Sequence, residues 1–343
     1  MQKRLSPGKL LDESGCLQEA GYATRLVKEY RRGEVRAGAL RIKEWDYYLV
    51  SNEHFGVALT VADNSYMGLV SLSFLDFEQR TETTVSPMSL FPMGRTKMPS
   101  SSDKGDVRFC SRRCQFSFVK EDGRRILIAK MKNFKDGQSI RMKIHLTREP
   151  DDSMVIAVPF KEHPHAFYYN QKIIGMRAKG VVEIGNRRFC FRPEDSFGLL
   201  DWGRGAWPYE NTWYWSAAQG LIDGQLFGFN LGCGFGDTRS ATENMLFFEG
   251  RAHKLERIRF LIPGEEKGQT EYLKTWNVMS DDERLSLTFT PILDRSARTS
   301  AGMLLSDQHQ VFGHFNGTAV LDDGTKIPVK QLPGFAEKVH NKW

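Results

Sequence analysis

Little in this 343-residue sequence points to a covalent or a membrane framework. Five cysteines (Cys16, Cys110, Cys114, Cys190 and Cys233) are too sparse, and odd in number, for a disulfide scaffold, and they favour a reducing compartment. No stretch approaches the ~20 consecutive apolar residues of a membrane helix. No apolar segment of signal-peptide length follows the basic start at Lys3-Arg4. A soluble, cytoplasmic protein without an integral membrane segment is the expectation. Gly-x-Ser-x-Gly, Walker, His-Glu-x-x-His and kinase signatures are all missing, so serine hydrolysis and ATP chemistry have no anchor. Charge of one sign is also lacking: 48 basic against 42 acidic residues leave a net +6. The basic pairs Lys3-Arg4, Arg31-Arg32, Arg124-Arg125 and Arg187-Arg188 fall on separate turns. No basic stripe with stacking aromatics results, and nucleic acid is not an expected partner. Helical periodicity is scarce. Its best stretch is Glu19–Tyr30, and the tail Gly334–Trp343 has room for a turn or two.

What is present is a core-forming composition, 40% hydrophobic and 12% aromatic, patterned with period two. Ile140, Met142, Ile144 and Leu146 alternate with Arg141, Lys143, His145 and Thr147, as a half-buried strand does. Leu285, Leu287 and Phe289 repeat the pattern until Pro291 interrupts the ladder. Asp122-Gly123, Asp223-Gly224 and Asp323-Gly324 separate such runs and read as type I′ hairpin turns. The architecture expected is all-β, antiparallel, a barrel or a sandwich. Thr84–Asp106, rich in proline and serine, reads as a long loop placed as a lid. Fresh hairpins begin after Lys161–Gln171, which puts a boundary near residue 172: an N-terminal domain 1–172 and a C-terminal domain 173–343.

Chemistry concentrates between Asp201 and Trp215. Asp201-Trp-Gly-Arg204-Gly-Ala-Trp207-Pro-Tyr209 is followed by Trp213-Tyr-Trp215, and four of the seven tryptophans fall here. Aromatics supply an apolar wall, and an acid within one has its pKa shifted. The same residues also read as a structural Asp–Arg bridge over a tryptophan core. In the second constellation, Asn230-Leu-Gly-Cys-Gly-Phe-Gly-Asp237, the glycine spacing is not that of a dinucleotide-binding turn. Alternating glycines on a strand instead leave one face bare for a ligand or a ring, with Glu243 and Asn244 just beyond. A bulge with polar caps is the bland alternative. His314 sits where alternation places it on an inner face, as a proton-transfer group or a satisfied core histidine. His163-Pro-His165 lacks a third ligand and reads as a solvated loop, so no metal is expected. Cys110-x-x-x-Cys114 fits neither a zinc ribbon nor a redox motif.

These motifs resemble the DUF2804 family. The likeness runs from Trp45-Asp-Tyr-Tyr48 through Leu200-Asp-Trp-Gly-Arg-Gly-Ala-Trp-Pro-Tyr209, Gly228-Phe-Asn-Leu-Gly232 and Thr242-Glu-Asn244 to Gly313-His-Phe-Asn-Gly317 and Gly334-Phe-Ala-Glu-Lys-Val-His-Asn-Lys-Trp343. More distantly the chain is similar to a lipocalin-like group of AttH proteins and carotenoid 1,2-hydratases, and further off to tocopherol cyclase and fungal Diels–Alderases. There an Asp-x-x-Trp-Gly motif precedes a Trp-rich strand; here Trp202 directly follows Asp201. The resemblance implies two tandem calycin-type β-barrels and a hydrophobic cavity.

The function expected is a cofactor-independent enzyme, a hydro-lyase or isomerase or cyclase, acting by acid/base chemistry on a hydrophobic or amphipathic molecule in a barrel cavity. Asp201 would be its acid and Glu243 or His314 the second proton-transfer group. Arg204, Trp207, Tyr209, Trp213, Trp215, Asn230 and Asn244 would bind the substrate. The alternatives are a non-catalytic carrier of lipid or isoprenoid-like ligands and a carbohydrate-active protein using Asp201 and Glu243. The oligomeric state is left open.

Overall fold

The computed structural model describes residues 2–302 and 304–342. It is all-β, and its described helical residues are confined to three 3-10 turns: Arg32–Glu34, Ala39–Arg41 and Glu265–Lys267. Two curled sheets account for nearly everything else. The first has 14 described strands; its main path runs Thr81–Val85, Met67–Asp76, Phe55–Asp63, Ile42–Ser51, Phe197–Ala206, His163–Ile184, Gln138–Thr147, Arg124–Lys135, Cys114–Glu121, Val107–Cys110. The second has nine and runs Arg251–Lys254, Met245–Phe248, Gln225–Cys233, Glu210–Ile222, Lys326–Lys342, Leu304–Val320, Leu285–Ala301, Trp276–Ser280, Ile258–Leu261. Each path curls until strands from its far parts meet: Thr81–Val85 beside Arg124–Lys135, and Gln225–Cys233 beside Ile258–Leu261.

Three apolar clusters follow from strand alternation. The concave interior of the first sheet is filled by residues such as Val50, Leu59, Leu72, Leu127, Ile144 and Trp202. Phe229, Trp276, Phe289 and Phe315 fill the second. The opposite faces of the same strands meet between the sheets, through Tyr47, Leu49, Tyr168, Leu199, Trp207, Trp215, Phe312 and Phe335. Neighbours such as Tyr47 and Tyr48 thus serve different cores, because successive side chains leave a strand on opposite sides.

Several sequence expectations meet corrections. Glu19–Tyr30 forms no helix; it holds the short strands Gly21–Ala23 and Lys28–Glu29, the former pairing with Met154–Phe160. The tail is not helical either. It is the strand Lys326–Lys342, central in its sheet, with ladders to Glu210–Ile222 and Leu304–Val320; Trp343 lies outside the described residues. Two partners that each offer unpaired backbone groups outweigh a few residues of weak helical pattern. Pro291 marks a bulge rather than an end, since pairing resumes at Leu293 and continues to Ala301. Asp223-Gly224 has both residues at positive φ, as a type I′ turn requires, whereas at Asp122-Gly123 only the glycine does.

Residue 172 falls inside the strand His163–Ile184, and the chain leaves the first sheet only after Ala206. The segment expected as a lid is instead fastened into the first sheet. Arg204 donates to the Pro99 carbonyl from Nε at 3.1 Å and Nη2 at 2.8 Å. Arg125 donates to the Ser102 carbonyl at 2.8 Å.

Candidate functional site

Two cross-strand rows face one another between the sheets. In the first sheet Lys172 pairs with Asp201, Asp201 with Tyr47, and Tyr47 with Thr60. In the second Gly232 pairs with Trp215, Trp215 with Glu337, Glu337 with Gln310, and Gln310 with Arg295. Paired residues project from the same face, so each ladder delivers its side chains to one side as a set. Between the rows is a cavity of about 200 Å³, completed by Trp45, Ala62, Asn64, Leu69, Tyr168, Trp207, Trp213, Phe235, Glu243, Gln308 and Asn341. It lies between the two curled sheets and inside neither.

Glycines make room for it. A Cβ on Gly203 would stand 1.9 Å from Trp45 Cζ2, so the bare backbone lets the Trp45 ring lie across the strand. Trp45 then meets Trp207 edge-on at 5.2 Å between centroids and stacks on Tyr168 at 6.2 Å. A Cβ on Gly232 would stand 2.4 Å from the Glu243 carboxyl. Of the three glycines read as alternating on a strand, only Gly232 is on Gln225–Cys233; Gly234 and Gly236 follow it at φ of 88° and 72°, and the group Gly232 admits is a carboxylate.

The polar groups form one network. Lys172 Nζ is 2.8 Å from Asp201 Oδ1, the same oxygen that accepts from Asn170 Nδ2 at 2.6 Å. The ammonium also lies 3.8 Å from the Trp215 ring centroid. Trp215 Nε1 donates to Asn230 Oδ1 at 2.7 Å, and Asn230 Nδ2 donates to Glu243, to its carbonyl at 2.8 Å and to Oε2 at 3.4 Å. Glu337 accepts on both carboxylate oxygens, from Trp213 Nε1 at 2.9 Å and from Gln310 Nε2 at 3.0 Å. Tyr47 closes the bridge between sheets by donating to Gln310 Oε1 at 3.2 Å.

Three carboxyl groups, Asp201, Glu243 and Glu337, thus share a buried site with Lys172 and Arg295. Burial pushes Glu337 up to about 7; the Trp213 hydrogen bond and the charges of Lys172 and Arg295 oppose that rise, and Asp201 adds to it. Burial likewise raises Glu243, with Lys172 opposing. The Tyr168 hydroxyl is driven far up by desolvation and by the Glu243, Asp201 and Glu337 carboxylates.

Of the residues singled out in the sequence, Asp201, Glu243, Trp207, Trp213 and Trp215 line this cavity. Asn230 stands behind the lining and ties Trp215 to Glu243. Arg204 is on the other side of its strand. Three positions from Asp201, it points into the first sheet's interior, where it is fully buried, bonds Asp46 Oδ1 at 3.0 Å and lies 4.3 Å over Trp202. The Asp201–Arg204 bridge read from the sequence is not formed: Arg204 pairs with Asp46 and Asp201 with Lys172. Asn244 is buried in backbone bonds, accepting from Gly232 N and donating to the Glu256 carbonyl. Tyr209 is on the link between sheets with the Arg41 guanidinium 5.8 Å over its ring. His314 lines a separate void of about 20 Å³ with Leu49, Glu53 and Phe77. Burial lowers its pKa, so it stays a neutral imidazole more readily. His165 approaches Cys16 at 3.7 Å, and among the described residues no group of three or more His, Cys, Asp or Glu is placed to hold a metal ion.

Lys172, Glu337, Gln310, Arg295 and Trp45 were not anticipated as site residues. A signal existed for two of them. Lys172 shares the parity of Tyr168 and Ile174, and Glu337 that of Phe335 and Val339 in the tail. A charge on the apolar side of an alternating strand is a candidate buried ion.

This is an all-β protein whose paired curled sheets enclose an acid-rich, aromatic-walled cavity. The chain belongs to the family described as a domain of unknown function, DUF2804, which matches residues 2–343. No curated protein matches the sequence. Among solved structures it is similar to one described as AttH from Nitrosomonas europaea, at TM-score 0.53 and 12% identity over 88% of this chain and 92% of that one. CghA is similar at TM-score 0.50 and 10% identity, over 98% and 97%. Kievitone hydratase from Nectria haematococca gives TM-score 0.48 and 11% identity, over 88% of each. The likeness to the AttH structure is one of fold.

Proposed function

We propose that the protein is an enzyme that moves protons on a small amphipathic molecule held between its two sheets, by hydration or dehydration, isomerisation or cyclisation. We read each curled sheet as a lipocalin-like barrel, the two in tandem, and the cavity between them as the active site. The observation that carries the reading is Glu337, a buried carboxyl raised to about 7, facing the same cavity as the Asp201–Lys172 ion pair. A buried carboxyl raised toward neutrality beside an ion-paired one is an arrangement that general acid/base catalysis uses.

Glu337, with a pKa of about 7, keeps a protonated population near neutrality and serves as the donor. Asp201, charge-paired with Lys172, serves as the acceptor, the reverse of the role expected for it from sequence. In a hydration, Glu337 gives its proton to the unsaturated substrate, water adds to the cation so formed, and Asp201 takes the proton that water loses. The rings of Trp45, Trp207 and Trp215 face developing positive charge with their electron-rich faces. No cofactor has a part in this reading. A cavity of about 200 Å³ is below the ~300–1,000 Å³ usual for drug-sized ligands, so the occupant is small or extends through the mouth.

Native mass spectrometry of the purified protein, followed by extraction, identifies what copurifies. That compound is then incubated with the protein in D2O and in 18O-labelled water. Incorporation of label, reduced ~10²–10⁴-fold in both Asp201→Asn and Glu337→Gln with affinity kept within a few-fold, is the expected result. A ligand that binds and returns unlabelled makes the protein a carrier, and a bound sugar points to carbohydrate chemistry; either overturns the proposal.

A further inference from the structure

At one edge of the first sheet the polarity of the surface inverts. Met88 is 64% exposed, Leu90 79%, Phe91 53% and Met93 41%, with exposed Ser89 the one polar residue among them. The short strand Met88–Leu90 pairs with Met67–Leu69, with Leu69 opposite Met88. Leu69 in turn is opposite Ala62, and Ala62 opposite Trp45. Trp45, Ala62 and Leu69 all line the cavity, so a single cross-strand row leads from the cavity wall out to Met88. The exposed apolar patch is continuous with the site.

The tip is built to hold these side chains outward. Phe91 and Met93 have φ of 48° and 50°, left-handed values that bulky residues seldom adopt. Backbone bonds fix them there: Phe91 N donates to the Tyr66 carbonyl, Met93 N to that of Ser65, and Gly94 N to Asp63 Oδ2. Ser65 also bonds the Ile42 carbonyl, which fastens the adjacent turn Ala39–Arg41, with Leu40 half exposed, to the same place. Strain maintained while the strained side chains stay about half exposed points to a use for their exposure. Residues 86–97 contain Arg95 and Lys97, both exposed, and no acid. A tip of large apolar side chains rimmed by cations matches the surface of an anionic bilayer, where apolar groups enter the headgroup boundary and lysine and arginine meet lipid phosphates.

We propose that the Met88–Lys97 tip docks the protein reversibly on anionic lipid surfaces. Entry of an apolar substrate along the Met88–Leu69–Ala62–Trp45 row is a consequence that rests on the reading of the cavity as an active site; the docking itself does not.

The test is cosedimentation of the full-length chain with phosphatidylcholine vesicles, with and without phosphatidylglycerol. Binding to the anionic vesicles that weakens with added salt is expected. Leu90→Asp with Phe91→Asp, both at exposed positions and the second on a left-handed backbone that aspartate tolerates, should reduce partitioning at least about tenfold with an unchanged melting temperature. Arg95→Glu with Lys97→Glu should remove the preference for anionic vesicles. Failure of the unaltered chain to sediment, or equal sedimentation of the Leu90/Phe91 variant, overturns the proposal. So does a dimer in sedimentation velocity that the same variant converts to monomer without any vesicle binding, which would make the tip a contact between copies. No substrate enters this assay, so its outcome is independent of the labelling experiment.

Discussion

The Lys172 ammonium, on a strand of the first sheet, lies 3.8 Å from the ring centroid of Trp215, on a strand of the second. The contact joins the sheets through the site itself. Lys172 holds Asp201 on its own sheet and lowers the pKa of Glu243 and Glu337 on the other. One cation therefore meets three carboxyl groups that no single element carries, pairing with Asp201 and opposing the rise that burial imposes on Glu243 and Glu337.

Replacing Lys172 by methionine leaves the Asp201 carboxylate buried without its ammonium. A loss on the order of 3–5 kcal/mol is expected by urea unfolding, the cost of breaking a buried pair from one side. Lys172→Met combined with Asp201→Asn should be less destabilised than Lys172→Met alone, since no buried charge is then stranded. Equal destabilisation of the two would mean that Lys172 acts through packing.

Glu337 makes stability depend on pH with a definite sign. Its pKa is about 7 in the folded protein against 4.5 ordinarily, so between these values the folded state holds a proton that the unfolded state has released. Stability therefore falls as pH rises through this window and is flat above it, with a total contribution on the order of 3 kcal/mol. Urea midpoints at about pH 5 and about pH 8 should differ accordingly, and Glu337→Gln should keep only the share that Glu243 contributes. An undiminished difference in the variant would remove Glu337 as the titrating group. In turnover, a donor role predicts activity lost as pH rises past about 7.

Gly203→Ala should force the Trp45 ring from its place, because the added methyl would lie 1.9 Å from Cζ2. Overpacking of this kind costs about 1–3 kcal/mol. Tryptophan fluorescence should shift and affinity for the copurifying ligand should fall. Trp45→Leu in the same chain should recover the stability but not the affinity.

Arg204 and Asp201 should separate cleanly. Arg204→Met leaves Asp46 buried and unpaired and releases the Pro99 carbonyl, so unfolding should be eased by on the order of 3–5 kcal/mol. Asp201→Asn should reduce label incorporation while leaving the Arg204–Asp46 pair and the Pro99 bonds in place, its stability cost coming instead from the Lys172 ammonium. A variant of Arg204 that folds well yet loses turnover would place the guanidinium in the chemistry after all.

The corrections share one physical origin. Asp201 and Arg204 are neighbours along the chain and strangers in space, because an odd separation on a strand sends side chains to opposite faces. The tail with Glu337 was readable as an alternating strand and its ladder with Leu304–Val320 as the hairpin at Asp323-Gly324, but the ladder with Glu210–Ile222 is made with partners more than 100 residues away, and distant pairing leaves no local trace. His314 has the parity of an inward residue, yet its row leads to the far end of the layer between sheets.

Alternation of apolar and polar residues, turn-forming Asp-Gly pairs and the clustering of tryptophans around Asp201 are local properties, and the sequence by itself determined from them an all-β chain with an aromatic acid site. Membership of the DUF2804 family rests on a match over residues 2–343. Only the tertiary structure decided that the cavity lies between the sheets, that Lys172 and Glu337 belong to it, and that Arg204 does not. Which strands become neighbours is settled by long-range ladders and by the burial of whole faces, and the pKa of Glu337 exists only once water has been excluded from around it.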